Sequence, residues 1–434
     1  MRDDRAGSAN VFSNRNFCLC FIGALISGLG SVLYSFAVSF YILEISSNNA
    51  FLQGLYLAAC GAALVLATPL GGVLGDRFNK ARIMTVCDFI KGGIIILSVI
   101  MMTLFSSARA QTVILFISGF TGEFVTGIFS PASSALMPFI LDDSQLQQAE
   151  AYSSVRSSLL SIAGTALAGI LYAVLPLPNL LLSVGVCSIL SGLAEMFIRY
   201  EQETSGEKMN GGLFLADIKD GFSYLRSQTA IMALMTSILF INFFISPIGN
   251  NFIPYFIKTD VENASSYIFD GTLTPEMWSS VFGILVSAGT IMGSLLLSIS
   301  EQKERCGRKT ALRLCLLSAV FVAITAGYWI LVARAVSLNL FLVMFSISLF
   351  IIGLLIGIVS ISMSTAIVRM LRKDKLSKAS SILTTLSLGL TPLSSVAGGI
   401  ILQYLGSPIL LSFCSVGFTA AALLLLFNRE IDSI

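Results

Sequence analysis

Apolar residues fall in long runs separated by short polar breaks, and each run is long enough to cross a hydrocarbon core of roughly 30 Å as a helix. Six such spans, at 16–43, 51–75, 83–105, 112–137, 151–175 and 180–199, precede a polar stretch. Six more, at 230–257, 278–299, 312–333, 338–368, 380–403 and 408–427, follow it. The pattern predicts an all-α membrane protein of twelve transmembrane helices, divided into a first half (1–199), a linker (200–228) and a second half (229–434). In the linker, Leu213, Phe214, Ile218, Phe222 and Leu225 recur at helical spacing, which predicts a short amphipathic helix lying on the membrane surface.

Composition narrows the function classes. Of 434 residues, 55% are apolar and 12% are charged, where an ordinary soluble domain carries about 25% charged residues. The net charge of +2 gives no field that would attract nucleic acid. The position of the charges is more informative. With the N-terminus inside, 21 of the 26 Lys and Arg residues lie in the tails, the linker and the loops of one side. Only Arg109, Lys258 and Arg334 lie on the other, so the positive-inside rule predicts a multi-pass protein of the cell (inner or plasma) membrane with both termini cytosolic. Seven of eight cysteines sit within apolar runs without C-x-x-C spacing, as small buried residues do, and there is no histidine. Neither a metal centre nor a histidine acid–base catalyst is expected, and no cofactor is called for.

The chain repeats itself. The segment Leu146-Gln147-Gln148-Ala149 through Ala168-Gly169 lies without gaps over Leu376-Ser377-Lys378-Ala379 through Gly398-Gly399, a constant offset of 230. The same offset, within a few residues, sets the basic turn 76–82 over Arg305-Cys306-Gly307-Arg308-Lys309. Two six-helix halves related by a parallel repeat are the architecture of a transporter class whose substrate site lies at the midplane.

Gly72-Val73-Leu74-Gly75-Asp76-Arg77-Phe78-Asn79-Lys80-Ala81-Arg82 resembles the loop motif G-x-L-x-D-R-x-G-R-K of the major facilitator superfamily. Asn79 stands at the motif's Gly, and Asn is among the few residues that accept a left-handed turn. The resemblance makes Gly72, Asp76, Arg77, Lys80 and Arg82 a cytosolic turn with its basic groups at the membrane surface. Asp88-Phe89-Ile90-Lys91, Pro131 to Pro138 at the end of the fourth span, 220–225 before the seventh and Thr391-Pro392-Leu393 are similar to the macrolide-efflux and enterobactin-exporter branch. That branch implies proton antiport. The Gly-Pro pair common in the fifth helix of antiporters is Gly164-Thr165 here, and the arginine that many drug exporters carry in the fourth span is missing.

Five ionisable residues fall in the interior of the predicted spans, away from their ends, all in the first half: Asp88, Lys91, Glu123, Arg156 and Glu195. At 1.5 Å per residue, Asp88, Lys91, Arg156 and Glu195 lie roughly 7 to 14 Å from the cytosolic end, where two anions and two cations can form a charge-paired gate or simply snorkel. Glu123 lies near the midplane, roughly 10 Å or more above the nearest cation. An unpaired carboxylate at that depth is costly, so Glu123 is the candidate proton-coupling residue; a permanently protonated, hydrogen-bonded side chain is the alternative. The resemblance implies that the first, fourth, seventh and tenth helices face a cavity, which makes Ser31, Tyr34, Asn242, Asn250, Asn251 and Ser346 candidate lining residues. Pro247 and Gly249 predict a break in the seventh helix beside that cavity.

These residues predict a secondary active transporter, not an enzyme. It would act as a monomer, exporting small amphipathic molecules against inward proton flow; a lysolipid or lipid flippase of the same fold is the alternative. An intramembrane enzyme would need a nucleophile and base, or a metal cluster, at one depth. Direct ATP drive would need a P-loop, which the sequence lacks.

Overall fold

The computed structural model describes residues 11–200, 229–299, 307–370 and 387–427, and all regular structure among them is helical. The linker helix expected at 213–225 and the side chain of Asp76 lie outside what is described. The first half comprises α1 (Arg15–Ile45), α2 (Ala50–Arg77), α3 (Lys80–Leu104) and α4 (Ala108–Ile140). It continues with α5 (Asp143–Leu159, then a π turn Leu160–Gly164 leading into Thr165–Val174) and α6 (Leu177–Glu195). In the second half α7 runs over Thr229–Pro247, a π turn Ile248–Phe252, one α turn Ile253–Phe256 and a second π turn Ile257–Val261. It is followed by α8 (Pro275–Ile299), α9 (Gly307–Val332), α10 (Leu338–Met370), α11 (Thr391–Tyr404) and α12 (Ser407–Leu426).

Eleven of these helices are long and apolar enough to cross a membrane. The twelfth, α11, begins its described helix at Thr391, and the start expected at 380 lies outside the described residues. Helix is the form that satisfies each backbone donor and acceptor within its own segment, as hydrocarbon requires. Large aliphatic side chains such as Leu66, Val174, Val416 and Leu424 point outward and are well exposed, as suits a lipid-facing surface. Pro131 and Pro138 lie within α4 instead of ending it. Gly406 closes the turn between α11 and α12 at φ +87°, a conformation that favours glycine.

The chain forms two compact units, one of Met1–Tyr41 with Ala59–Lys208, the other of Ile42–Ala58 with Met209–Ile434. In the first, α2 and α4 approach backbone to backbone where Gly71 and Gly127 face each other's helices. A cluster of Phe17, Met84, Leu136, Ile140 and Ile198 closes the end that carries the 76–82 turn. In the second unit, Gly289, Gly293, Gly353 and Gly357 let α8 and α10 meet so closely that a Cβ at any of the four would collide with a facing carbonyl. Phe252, Phe256, Phe282, Phe341 and Phe345 stack and cross edge to face with Tyr328 to form an aromatic core.

Candidate functional site

The first unit holds a cavity of about 290 Å³ lined by α1, α3, α4 and α5. Its wall combines apolar surface with hydroxyls and charges: Ser27 and Ser31 from α1, Asp88 and Lys91 from α3, Thr126, Ser130, Ser133 and Ser134 from α4, Arg156 and Ser157 from α5. Three of the five ionisable residues expected in the first half therefore share one pocket. The hydroxyls on α4 were not singled out from the sequence. Their signal is the spacing Thr126, Ser130, Ser133, a helical stripe that begins one turn after Glu123.

Lys91 is buried, and its Nζ donates to Ser31 Oγ at 2.9 Å and to Thr126 Oγ1 at 3.2 Å. Asp88 Oδ1 accepts from Ser27 Oγ at 3.2 Å, while Oδ2 has no hydrogen-bond partner. Glu195 is wholly buried beside Gly23, with neither carboxylate oxygen hydrogen-bonded. Nearby, Ser191 Oγ donates to the Gly23 carbonyl. Asp88 and Glu195 are close enough to act on each other's charge. Among the described residues, neither carboxylate forms an ion pair with Lys91 or Arg156. Asp88, Lys91 and Arg156 thus line one cavity, and Glu195 lies within range of the Asp88 charge.

Glu123 is half-buried on α4 and makes no hydrogen bond to a described residue. It is less isolated than depth along the sequence suggested, because Lys91 reaches Thr126, one turn away, and its charge acts on Glu123. A lysine side chain spans more than a helical turn, which arithmetic on Cα positions leaves out.

Of the expected lining residues, Ser31 alone lies on this cavity. Tyr34 is buried, its hydroxyl 2.9 Å from Ser118 Oγ. Asn242 donates to the Ser387 carbonyl at 3.1 Å and Asn250 to Ser246 Oγ at 3.1 Å. Asn251 donates to the Ser395 carbonyl at 3.2 Å in a tight contact with Gly54 and Gly398. Ser346 is half-buried, and its buried hydroxyl oxygen has no partner among the described residues. The break expected in α7 is real in form: Pro247 is followed at once by a π turn.

The expectation that no ionisable residue enters the spans of the second half is corrected. The second π turn carries α7 on to Val261, which brings Lys258 and Asp260 into the helix. Lys258 is buried and pairs with Glu276 at 2.9 Å and Glu262 at 3.1 Å, and Asp260 accepts from Tyr328 Oη at 3.2 Å. The sequence signal is Glu262 four residues after Lys258.

The 76–82 turn forms, but not by a left-handed residue. Asn79 has φ −58° and ψ 116°, and its side chain accepts from the Arg82 backbone N–H at 3.1 Å, capping α3. Lys80 is buried with its Nζ 4.3 Å from the Phe139 ring centroid, and its backbone N–H donates to Tyr200 Oη at 2.7 Å. Burial pushes the Tyr200 phenol up from its ordinary value. Arg82 is exposed and Arg77 half-buried. A Cβ at Gly72 would meet nothing; the close approach is made by its neighbour Gly71.

Comparison with known proteins fits this architecture. The chain is 24% identical over 327 residues to macrolide efflux protein A of Streptococcus pyogenes, covering 72% of this chain and 79% of that protein. It is 23% identical over 305 residues to the uncharacterized MFS-type transporter YkuC of Bacillus subtilis (strain 168), covering 68% and 67%. Its fold matches that of a POT family transporter solved with 5-aminolevulinic acid (TM-score 0.73, 12% identity, 96% and 97% covered). It also matches a bacterial homologue of the iron transporter ferroportin in an inward-facing state (TM-score 0.71, 14% identity, 95% and 98% covered). The family model of the Major Facilitator Superfamily matches residues 20–387, and the chain belongs to that superfamily of membrane transporters.

Proposed function

We propose that this transporter exports small amphipathic molecules by alternating access, driven by inward proton flow, with both termini in the cytosol. Similarity to a macrolide efflux protein supports the direction and substrate type. The observation that carries the coupling is Glu123, a carboxyl without hydrogen bonds on the cavity helix α4, within range of the Lys91 charge. A group so placed exchanges a proton when the cavity is wetted from one side and then the other, because water changes the cost of its charge. Asp88 and Glu195, within range of each other's charge in the same unit, are on this reading the acids of a cytosolic gate.

The test is Glu123→Gln in proteoliposomes, which keeps the shape of the neutral side chain. The variant is expected to bind substrate and to lose uphill transport under an imposed proton gradient. If it drives substrate uphill as well as the parent protein, coupling through Glu123 is wrong, and the same assay is moved to Asp88 and Glu195. A thermal-shift screen against drugs, siderophores and lysolipids finds the substrate class, since a ligand raises the melting point of the state it binds.

A further inference from the structure

The cavity of the first unit contains a buried positive charge held by neutral groups alone. Lys91 spends two of its three N–H donors on Ser31 Oγ and Thr126 Oγ1. Those hydroxyls give their own protons to the Ser27 and Gly122 carbonyls, each at 3.0 Å, so each offers the ammonium only a lone pair. The third N–H has no acceptor among the described residues, and no carboxylate oxygen of a described residue lies within 4 Å of Nζ. The nearby acids stop short of contact: Asp88 Oδ1 is bonded by Ser27, Glu195 lies against Gly23, and Asp88 and Glu123 reach Lys91 only through their charge. A buried ammonium with no carboxylate in contact is costly, and a ligand that brings an oxyanion into contact lowers that cost.

We propose that this cavity binds the oxyanion of an anionic amphipath, a carboxylate or phosphate headgroup, with Lys91 taking its charge. This rests on the reading of the cavity as a substrate site. The hydroxyls of Ser130 and Ser133 supply donors for the remaining oxygens, and the volume of about 290 Å³ suits a headgroup or a compact ring body.

The experiment measures binding of matched fluorescent probes, naphthalene-2-carboxylate, its carboxamide and 2-naphthylmethylammonium, to the full chain in lipid nanodiscs without any gradient. The carboxylate is expected to bind about tenfold tighter than the carboxamide, the worth of one charge-assisted hydrogen bond. Lys91→Gln is expected to erase that preference, and Lys91→Arg to keep most of it. Carboxamide binding in the Lys91→Gln variant serves as the folding control. Nanodiscs of phosphatidylcholine and of phosphatidylglycerol separate the sources: competition in the second assigns the site to a lipid phosphate, and equal binding in both assigns it to a free anion. A carboxylate that binds no better than its carboxamide, or a preference that survives Lys91→Gln, overturns the proposal. Because no transport is measured, failure here leaves the Glu123 coupling test standing, and failure of that test leaves this one.

Discussion

In the first unit the interior positions of α3, α4 and α6 carry Asp88, Lys91, Glu123 and Glu195; at the same offset of 230 the second unit carries Ser318, Phe321, Gly353 and Leu425. Ser318, Phe321 and Leu425 are buried as Asp88, Lys91 and Glu195 are. The scaffold itself is shared. Gly127 on α4 faces the Leu64 carbonyl, and its counterpart Gly357 on α10 faces the Thr290 carbonyl. One turn away the units diverge, since Gly353 lets α10 close onto Val286 of α8 where α4 carries Glu123. The second unit fills these positions with apolar or small residues and the first with ionisable ones. Burial follows the repeated fold, and the ionisable groups at these positions belong to one copy of it.

The second unit keeps its charges at the end of α7, and removing one there should have the largest effect on stability. Lys258→Met leaves the half-buried Glu276 without its cation and is expected to cost about 3 kcal/mol, read as a lowered unfolding midpoint of the purified protein. The exposed Glu262 contributes little to that figure. A variant as stable as the parent would mean that this cluster is solvated and that the unit's interior is apolar throughout.

Gly353→Ala comes next. Its Cβ would run into the Val286 carbonyl, and backbone cannot step aside as a side chain does, so a loss of about 2 kcal/mol is expected. Gly122→Ala, next to Glu123, meets nothing and is expected to be neutral or slightly stabilising. Equal melting points for the two variants would remove the packing half of the comparison.

Glu195→Leu places the second unit's residue in the first. Both Glu195 oxygens lack hydrogen bonds, so exchange for a side chain of similar size is expected to stabilise by about 1 kcal/mol while transport falls. A destabilised variant would show that Glu195 serves the fold and not the chemistry.

The helices and the repeat were legible because both depend on one-dimensional patterns, the length of apolar runs and the recurrence of residues at a fixed offset. The site was legible only in part, because depth along a helix leaves rotation about its axis open. Lys91 and Asp88 are three residues apart and at similar depth, yet the lysine turns to Ser31 and Thr126. Asn251 is polar on an expected cavity helix, yet it serves the contact of α7 with Gly54 and Gly398. Lys258 was placed in a loop because apolar periodicity fades where α7 takes a π turn, whose register differs from the 3.6-residue period.

The smallest effect separates two readings of a single turn. At Asn79 the sequence suggested a left-handed residue in place of glycine, and the structure shows a cap on α3 that accepts the Arg82 N–H. The corresponding helix of the second unit, α9, starts at Gly307, and the residue before it lies outside the described residues. A left-handed residue would gain from Asn79→Gly, because glycine adopts positive φ without strain. A cap predicts another order: Asn79→Asp retains the acceptor and is neutral, Asn79→Gly costs a few tenths of a kcal/mol, and Asn79→Ala costs about 1 kcal/mol. Melting points of the three variants give that ranking directly. If glycine proves the most stable of them, the turn is held by its backbone conformation and the capping bond contributes nothing to it.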